Sequence, residues 1–218
     1  MNRGRPRRKR RLVLLDRDGT INVEKGFLAD PNKVELIPGA ARAIAKLNRA
    51  GFAVAIVTNQ SGIGRGMYTL EEMRTTNARV VGLLKMGGAT IDTVEFCPHH
   101  PEAVIPALRR ICRCRKPGTL MARRAATRTG ATLRDCVVVG DRLNDVRMGN
   151  KLRGRSVLVL TGYGKAHSLM ARKARMKKEG TIPDAIVRDL PAAVEWILKN
   201  RRSTLRKDGK GRGQTRRR

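Results

Sequence analysis

Two aspartates one residue apart, Asp16 and Asp18, close the apolar run Leu12-Val13-Leu14-Leu15 and precede Gly19-Thr20. Like charges this close repel, and the repulsion costs free energy unless a cation or a substrate is expected. Such a pair has two chemical uses. It can hold a hard divalent cation such as Mg²⁺, and one member can attack phosphorus while the other moves protons. The attacking carboxylate must stay ionised and its neighbour must keep or recover a proton, so the two must titrate apart. Acids and hydroxyls recur where two further apolar runs stop. Thr58-Asn59 follows 52–57, and Gly140-Asp141 follows 136–139 with Asp145 four residues on. Asp145 alone is as well explained as a helix cap; Asp16, Asp18, Thr58 and Asp141 together are not. An attacked phosphoryl group develops charge that a fixed cation must stabilise, and Lys116, before Pro117, offers one.

A second constellation lies in 97–117, which is rich in Cys, His and Pro. Cys97-Pro98-His99 and Cys112-Arg113-Cys114 are two ligand pairs with one residue inside each. In a chain without a secretory signal, three Cys and one His read as a tetrahedral Zn²⁺ site, not as disulfides. Four protein ligands leave no open position, so the zinc is structural. His100 is the alternative to His99, and Cys136, inside an apolar run, reads as core. Metal at the root of this insert would fix the backbone of Arg115-Lys116, which follows the last ligand.

Positioning these groups requires strands that end side by side. Short β-branched apolar runs at 11–15, 52–57, 92–96, 136–139, 156–160 and 185–187 read as buried strands. Helical patterns at 39–50, 69–86, 118–130, 144–152, 166–178 and 191–199 alternate with them. Thr69 with Glu72 three residues on is a capping box, and Pro38-Gly39 opens the first helix. The expected fold class is α/β, a parallel sheet with helices on both faces and a small zinc-binding loop insert, with function at the carboxyl ends of the strands.

The 218 residues, 40% apolar, suffice for one ordinary domain, expected over 11–200. No run of 18 apolar residues occurs, which points to a soluble, cytoplasmic protein, expected to be a monomer. The net charge is +30, with seven basic side chains in 1–11 and ten in 199–218. Residues 1–10 and 201–218 read as disordered basic tails, and the field will attract polyanions, including nucleic acid, non-specifically.

The ordered set DxDGT (Asp16 to Thr20), Thr58, Lys116 and GDxxxD (Gly140 to Asp145) resembles the haloacid dehalogenase (HAD) superfamily phosphatases over 11–163. The resemblance implies a Rossmann-like core, an aspartyl-phosphate on Asp16, and Asp18 as general acid and then base. It implies Mg²⁺ held by Asp16, the main-chain carbonyl of Asp18, and Asp141, with Thr58 and Lys116 steadying the phosphoryl oxygens. DRDGTIN, VTNQSGIGRG, CPHHP and CRCRKP further resemble the heptose 1,7-bisphosphate 7-phosphatase branch. That branch implies substrate contacts from Glu24, Lys25, Gly26 and Phe27, from Thr58, Asn59, Gln60 and Ser61, and from Arg115, Lys116 and Arg142. Arg115 and Arg142 suit a substrate with a second phosphate, because guanidinium binds phosphate bidentately. Arg65 is a weaker candidate. The alternatives are a histidinol-phosphate or other small phosphomonoester phosphatase, a nucleic-acid 3′-phosphatase, and a non-catalytic polyanion-binding protein. Only 3% of residues are aromatic, which disfavours a single-strand stacking platform.

Overall fold

The computed structural model describes residues 10–176 and 181–201. The expected tails, apart from Arg10 and Arg201, lie outside the described residues, as does the end of the helical stretch 166–178. Six strands, β1 (Arg11–Leu15), β2 (Ala53–Asn59), β3 (Thr93–Cys97), β4 (Thr132–Gly140), β5 (Arg155–Val159) and β6 (Ala185–Val187), form one sheet in the order β3-β2-β1-β4-β5-β6. Every pairing is parallel. The strand order reverses between β1 and β4, and a crevice opens at the carboxyl edge of that switch point.

β1 is apolar at every position from Leu12 to Leu15 because helices cover both faces of the sheet. Val13 and Leu15 join a layer with α1 (Ala40–Arg49), α3 (Leu70–Met86) and α7 (Leu190–Lys199). Leu12 and Leu14 point the other way, against Met121, Ala122 and Ala125 of α4 (Leu120–Thr129) and Met148 of α5 (Leu143–Lys151). α6 (Gly164–Met176) packs through Ala171 on Leu143, Val146 and Leu158. Each fully buried Leu or Val contributes about 1.5–3 kcal/mol, so this central strand is a firm base for the residues after it.

Helix ends follow the local chemistry. Thr69 Oγ1 accepts from the Glu72 N–H at 3.1 Å while Glu72 Oε2 accepts from the Thr69 N–H at 2.7 Å, the reciprocal box that starts α3. Asp189 caps α7 by accepting from the Ala192 N–H at 2.9 Å. Two strands extend beyond the sequence expectation by two residues or more, while β3 and β5 shift by one. β2 runs on through Thr58 and Asn59, which pair with Phe96 and Cys97, because β3 continues beside it. β4 begins at Thr132, opposite Arg11, and absorbs a bulge before Val13 meets Val137. Asp135, at φ +59°, sits in that bulge. The short helix α2 (Ser61–Gly64) and the 3₁₀ turns Pro31–Lys33 and Pro106–Leu108 had no periodic signal to announce them.

Candidate active site

The carboxyl edge of β1 and β4 carries the acids. The Asp16 N–H donates to Val139 O at 2.9 Å, so β4 holds the backbone of Asp16 in line with β1. Lys116 Nζ lies 2.8 Å from Asp16 Oδ1 and 2.6 Å from Asp145 Oδ1. Carboxylate oxygens of Asp16, Asp141 and Asp145 come within 4.8 Å of one another, and all three residues are buried. Burial pushes the Asp16 carboxyl up to about 7 against the pull of Lys116, with Asp145 adding to the rise. Burial, then the charge of Asp16, pushes Asp141 up to about 8. Burial works against the charge of Lys116, but Asp145 and Asp16 outweigh it and hold its pKa above the ordinary lysine value. One ammonium among three carboxylates leaves excess negative charge out of water.

Asp141 shows where a cation fits. Its Oδ2 accepts from the Tyr163 N–H at 2.8 Å, while its buried Oδ1 has no hydrogen-bond partner. Gly19 (φ +75°) and Gly162 (φ +54°) close over it, and a Cβ on either would fall within 2.3 Å of Asp141 Oδ2. Only glycine allows that approach. A hard oxygen donor set with an orphaned carboxylate oxygen suits Mg²⁺. The carboxylate of Asp18 is outside this cluster, which leaves its main-chain carbonyl as the atom it could offer.

Asp18 is held by groups around it. Arg17, fully buried, donates from Nε (3.0 Å) and Nη2 (2.8 Å) to the two carboxylate oxygens, and from Nη1 to Asn77 Oδ1 on α3 at 2.7 Å. Gln60 Nε2 bridges Asp18 Oδ2 (3.0 Å) and Thr58 Oγ1 (2.8 Å), and Tyr68 O–H donates to Gln60 Oε1 at 2.6 Å. The side chain of Gln60 is thus occupied in orienting Asp18 and Thr58. Arg17 stands between two motif aspartates, where nothing in the sequence distinguishes an inward arginine from a surface one.

Lys116 is placed by the insert. Sγ of Cys97, Cys112 and Cys114 and Nδ1 of His99 lie 3.2–3.5 Å apart across the contacts they make. Tetrahedral Zn²⁺, with bonds of about 2.0–2.3 Å, separates its ligands by roughly 3.5–3.8 Å, so the four atoms fit such an ion with little movement. His100 turns away, its Nε2 3.0 Å from Arg65 Nη2. Cys136 is buried in the core beneath α4. The Arg115 N–H donates to Cys112 Sγ at 3.3 Å, and one residue later the Lys116 N–H donates to Asn59 Oδ1 at 2.9 Å. The cysteine cluster therefore grips the backbone one residue before the lysine, and the strand end grips the lysine's own N–H.

These groups floor a cavity of about 370 Å³. Glu24, Gly26, Phe27, Thr58, Asn59, Gln60, Ser61, Arg115, Lys116 and Arg142 all line it. Lys25 departs from the expected set. Its ammonium pairs with Glu35 at 3.1 Å and does not reach the cavity, because Gly26 (φ +61°) turns the loop between Lys25 and Phe27. At the rim, the Arg142 guanidinium stacks 3.8 Å over the Tyr163 ring and lies 3.5 Å from Glu24 Oε2. Arg65, His100 and Tyr163 complete the rim. Burial, and less strongly Arg65 and Arg142, lower the pKa of Arg115. Phe27, 48% exposed at φ +28°, is a large apolar side chain in a conformation that costs free energy, as residues beside ligands often are.

Comparison with known proteins agrees with this architecture. A HAD-hydrolase-like family model matches residues 113–193. The D-glycero-β-D-manno-heptose-1,7-bisphosphate 7-phosphatase of Yersinia pestis is 36% identical over 151 residues, 69% of this chain and 80% of that protein. The protein of the same name from Photorhabdus laumondii is 34% identical over 188 residues, 86% of this chain and 96% of the relative. The crystal structure of D,D-heptose 1,7-bisphosphate phosphatase from B. bronchiseptica, complexed with magnesium and phosphate, superposes with a TM-score of 0.73 at 30% identity. It covers 87% of this chain and 99% of that one. Among the described residues no helix is long and apolar enough to cross a membrane. With sequence and fold matched over most of the length of these relatives, the chain belongs to the D-glycero-β-D-manno-heptose-1,7-bisphosphate 7-phosphatase family of HAD-type hydrolases.

Proposed function

We propose that this enzyme removes the 7-phosphate of D-glycero-D-manno-heptose 1,7-bisphosphate through an aspartyl-phosphate on Asp16, a step toward activated heptose for surface glycans. The observation that carries the reading is the seat of Asp16. It lies between Lys116 and the Asp141 carboxylate, at the floor of a cavity whose rim carries Arg65, Arg115 and Arg142. A monophosphate needs the floor alone. Guanidinium groups at the rim suit the second phosphate of a bisphosphate.

Asp16 attacks phosphorus: an Oδ–P bond forms, the P–O bond to C7 breaks, and Asp18 gives its proton to the departing alkoxide. Water then attacks the phosphoryl group, Asp18 takes its proton, the Asp16–P bond breaks and inorganic phosphate leaves. Thr58 and Lys116 offer donors to the phosphoryl oxygens, and Gln60 and Arg17 keep Asp18 aimed at the oxygen it serves. Mg²⁺, held by Asp16, Asp141 and the Asp18 carbonyl, would offset the charge of the carboxylates and of the phosphate. Zn²⁺ on Cys97, His99, Cys112 and Cys114 would brace Lys116 without entering the chemistry. A cytoplasmic, monomeric enzyme is part of the proposal, since a sugar bisphosphate does not cross a membrane unaided.

The test is phosphate release from the β anomer, the one named for the relatives, against the α anomer, fructose 1,6-bisphosphate, histidinol phosphate and a 3′-phosphorylated oligonucleotide. The heptose bisphosphate should give the highest kcat/KM and leave the 1-phosphate in place. Faster turnover of histidinol phosphate would move the assignment to that branch.

A further inference from the structure

The strong positive charge of the chain is not used up by its active site. A second groove, about 700 Å³, opens on the outer side of the metal-binding insert, with none of its lining shared with the active-site cavity. Five arginines line it: Arg74 from α3, Arg110 and Arg113 from the insert, and Arg124 and Arg128 from α4. All five are exposed. The single acid of the lining, Glu95, is taken by Arg128 at 3.0 Å, and Arg110 lies against His99. Among the described residues no carboxylate pairs with Arg74, Arg113 or Arg124. Ile111, 90% exposed, sits among them.

We propose that this groove binds the phosphodiester backbone of a nucleic-acid strand, without sequence preference. Five guanidinium groups gathered around one carboxylate repel one another, and a ligand whose negative charges recur along its length relieves that repulsion at several points. One phosphate would engage one or two of the five. A flat anionic membrane would meet a concave surface whose one exposed apolar side chain is Ile111, too little to anchor on. Phe96 is the one aromatic residue of the lining, so contact is to the backbone and sugar, not to stacked bases.

The test is fluorescence anisotropy of the full chain with a labelled oligonucleotide of about 20 residues over a salt series, reading the slope of log K against log salt. The variant Arg74→Ser/Arg113→Ser/Arg124→Ser is compared with Arg42→Ser/Arg49→Ser/Arg134→Ser, exposed arginines off the groove with the same loss of charge. The groove variant should bind at least about tenfold more weakly, its slope reduced by about 2–3, while the control stays near the parent. Zinc content and phosphate release should be unchanged in both; if the triple variant loses zinc, Arg113→Ser and Arg124→Ser singly should each lower the slope by about 0.7–0.9. Equal losses in the two triple variants would overturn the proposal. So would preference for phosphatidylglycerol vesicles or for inorganic polyphosphate over the oligonucleotide.

Discussion

Raising the pH from 6 to 8 should tighten Mg²⁺ binding by between two and three decades. Asp16 and Asp141, the two side chains assigned to the cation, have pKa values raised to about 7 and about 8 by burial. At pH 6 both are mostly protonated, and the cation must displace both protons; at pH 8 Asp16 is ionised and Asp141 about half so. The product of the two competition factors changes about 500-fold over that interval. Between one and two protons should leave per Mg²⁺ bound at pH 7, and almost none at pH 9. Stability should follow with a definite sign. Both folded pKa values exceed the ordinary 3.8, so the metal-free fold keeps protons that the unfolded chain gives up. Its stability is largest at low pH within the window and is lost as pH rises from about 4 through 8. Mg²⁺ at about 100 times its Kd should restore about 2.7 kcal/mol, or about 5–10 °C in Tm for a domain of this size. The assay is titration calorimetry in two buffers of different ionisation enthalpy, with thermal melts from pH 5 to 9 with and without Mg²⁺. An affinity flat from pH 6 to 8 with no buffer-dependent heat would refute the assignment of Asp16 and Asp141 as buried, proton-competing ligands.

Asp16→Asn should abolish phosphate release, by at least about 10³-fold, with its melting curve intact; retained turnover would remove Asp16 as nucleophile. Arg17→Met leaves Asp18 and Asn77 without their shared partner and should cost about 3–5 kcal/mol in urea unfolding. Stripping the metal from Cys97, His99, Cys112 and Cys114 with a thiol-competing chelator should lower kcat more than it raises KM, because Lys116 loses one side of its brace. Asn59→Ala removes the other side and should lower kcat about 10–100-fold with little change in KM, measured by steady-state phosphate release.

The chemistry of the floor was legible because it is carried by residue types that have few other reasons to occur together. Asp16, Asp18, Thr58 and Asp141 each follow an apolar run, and a parallel sheet brings such run ends to one edge. The cysteine pairs were legible for the same reason. The orienting residues were not. Arg17, Asn77 and Tyr68 act through contacts across the crevice, and their one-letter neighbourhoods are those of ordinary surface or core positions. Asn59 and Gln60 line the cavity, and only packing reveals that their amides also engage Lys116 and Asp18.

Sequence alone determined the fold class, the order of the motifs and the grouping of Cys97, His99, Cys112 and Cys114, because hydrophobic period and donor chemistry are local properties of the chain. Tertiary structure decided that Asp145 meets Lys116 as well as capping α5, that Lys25 faces Glu35, and that five arginines from three segments share one groove. Those outcomes depend on distances between residues far apart in the chain, and such distances exist only once the sheet has twisted and its helices have packed.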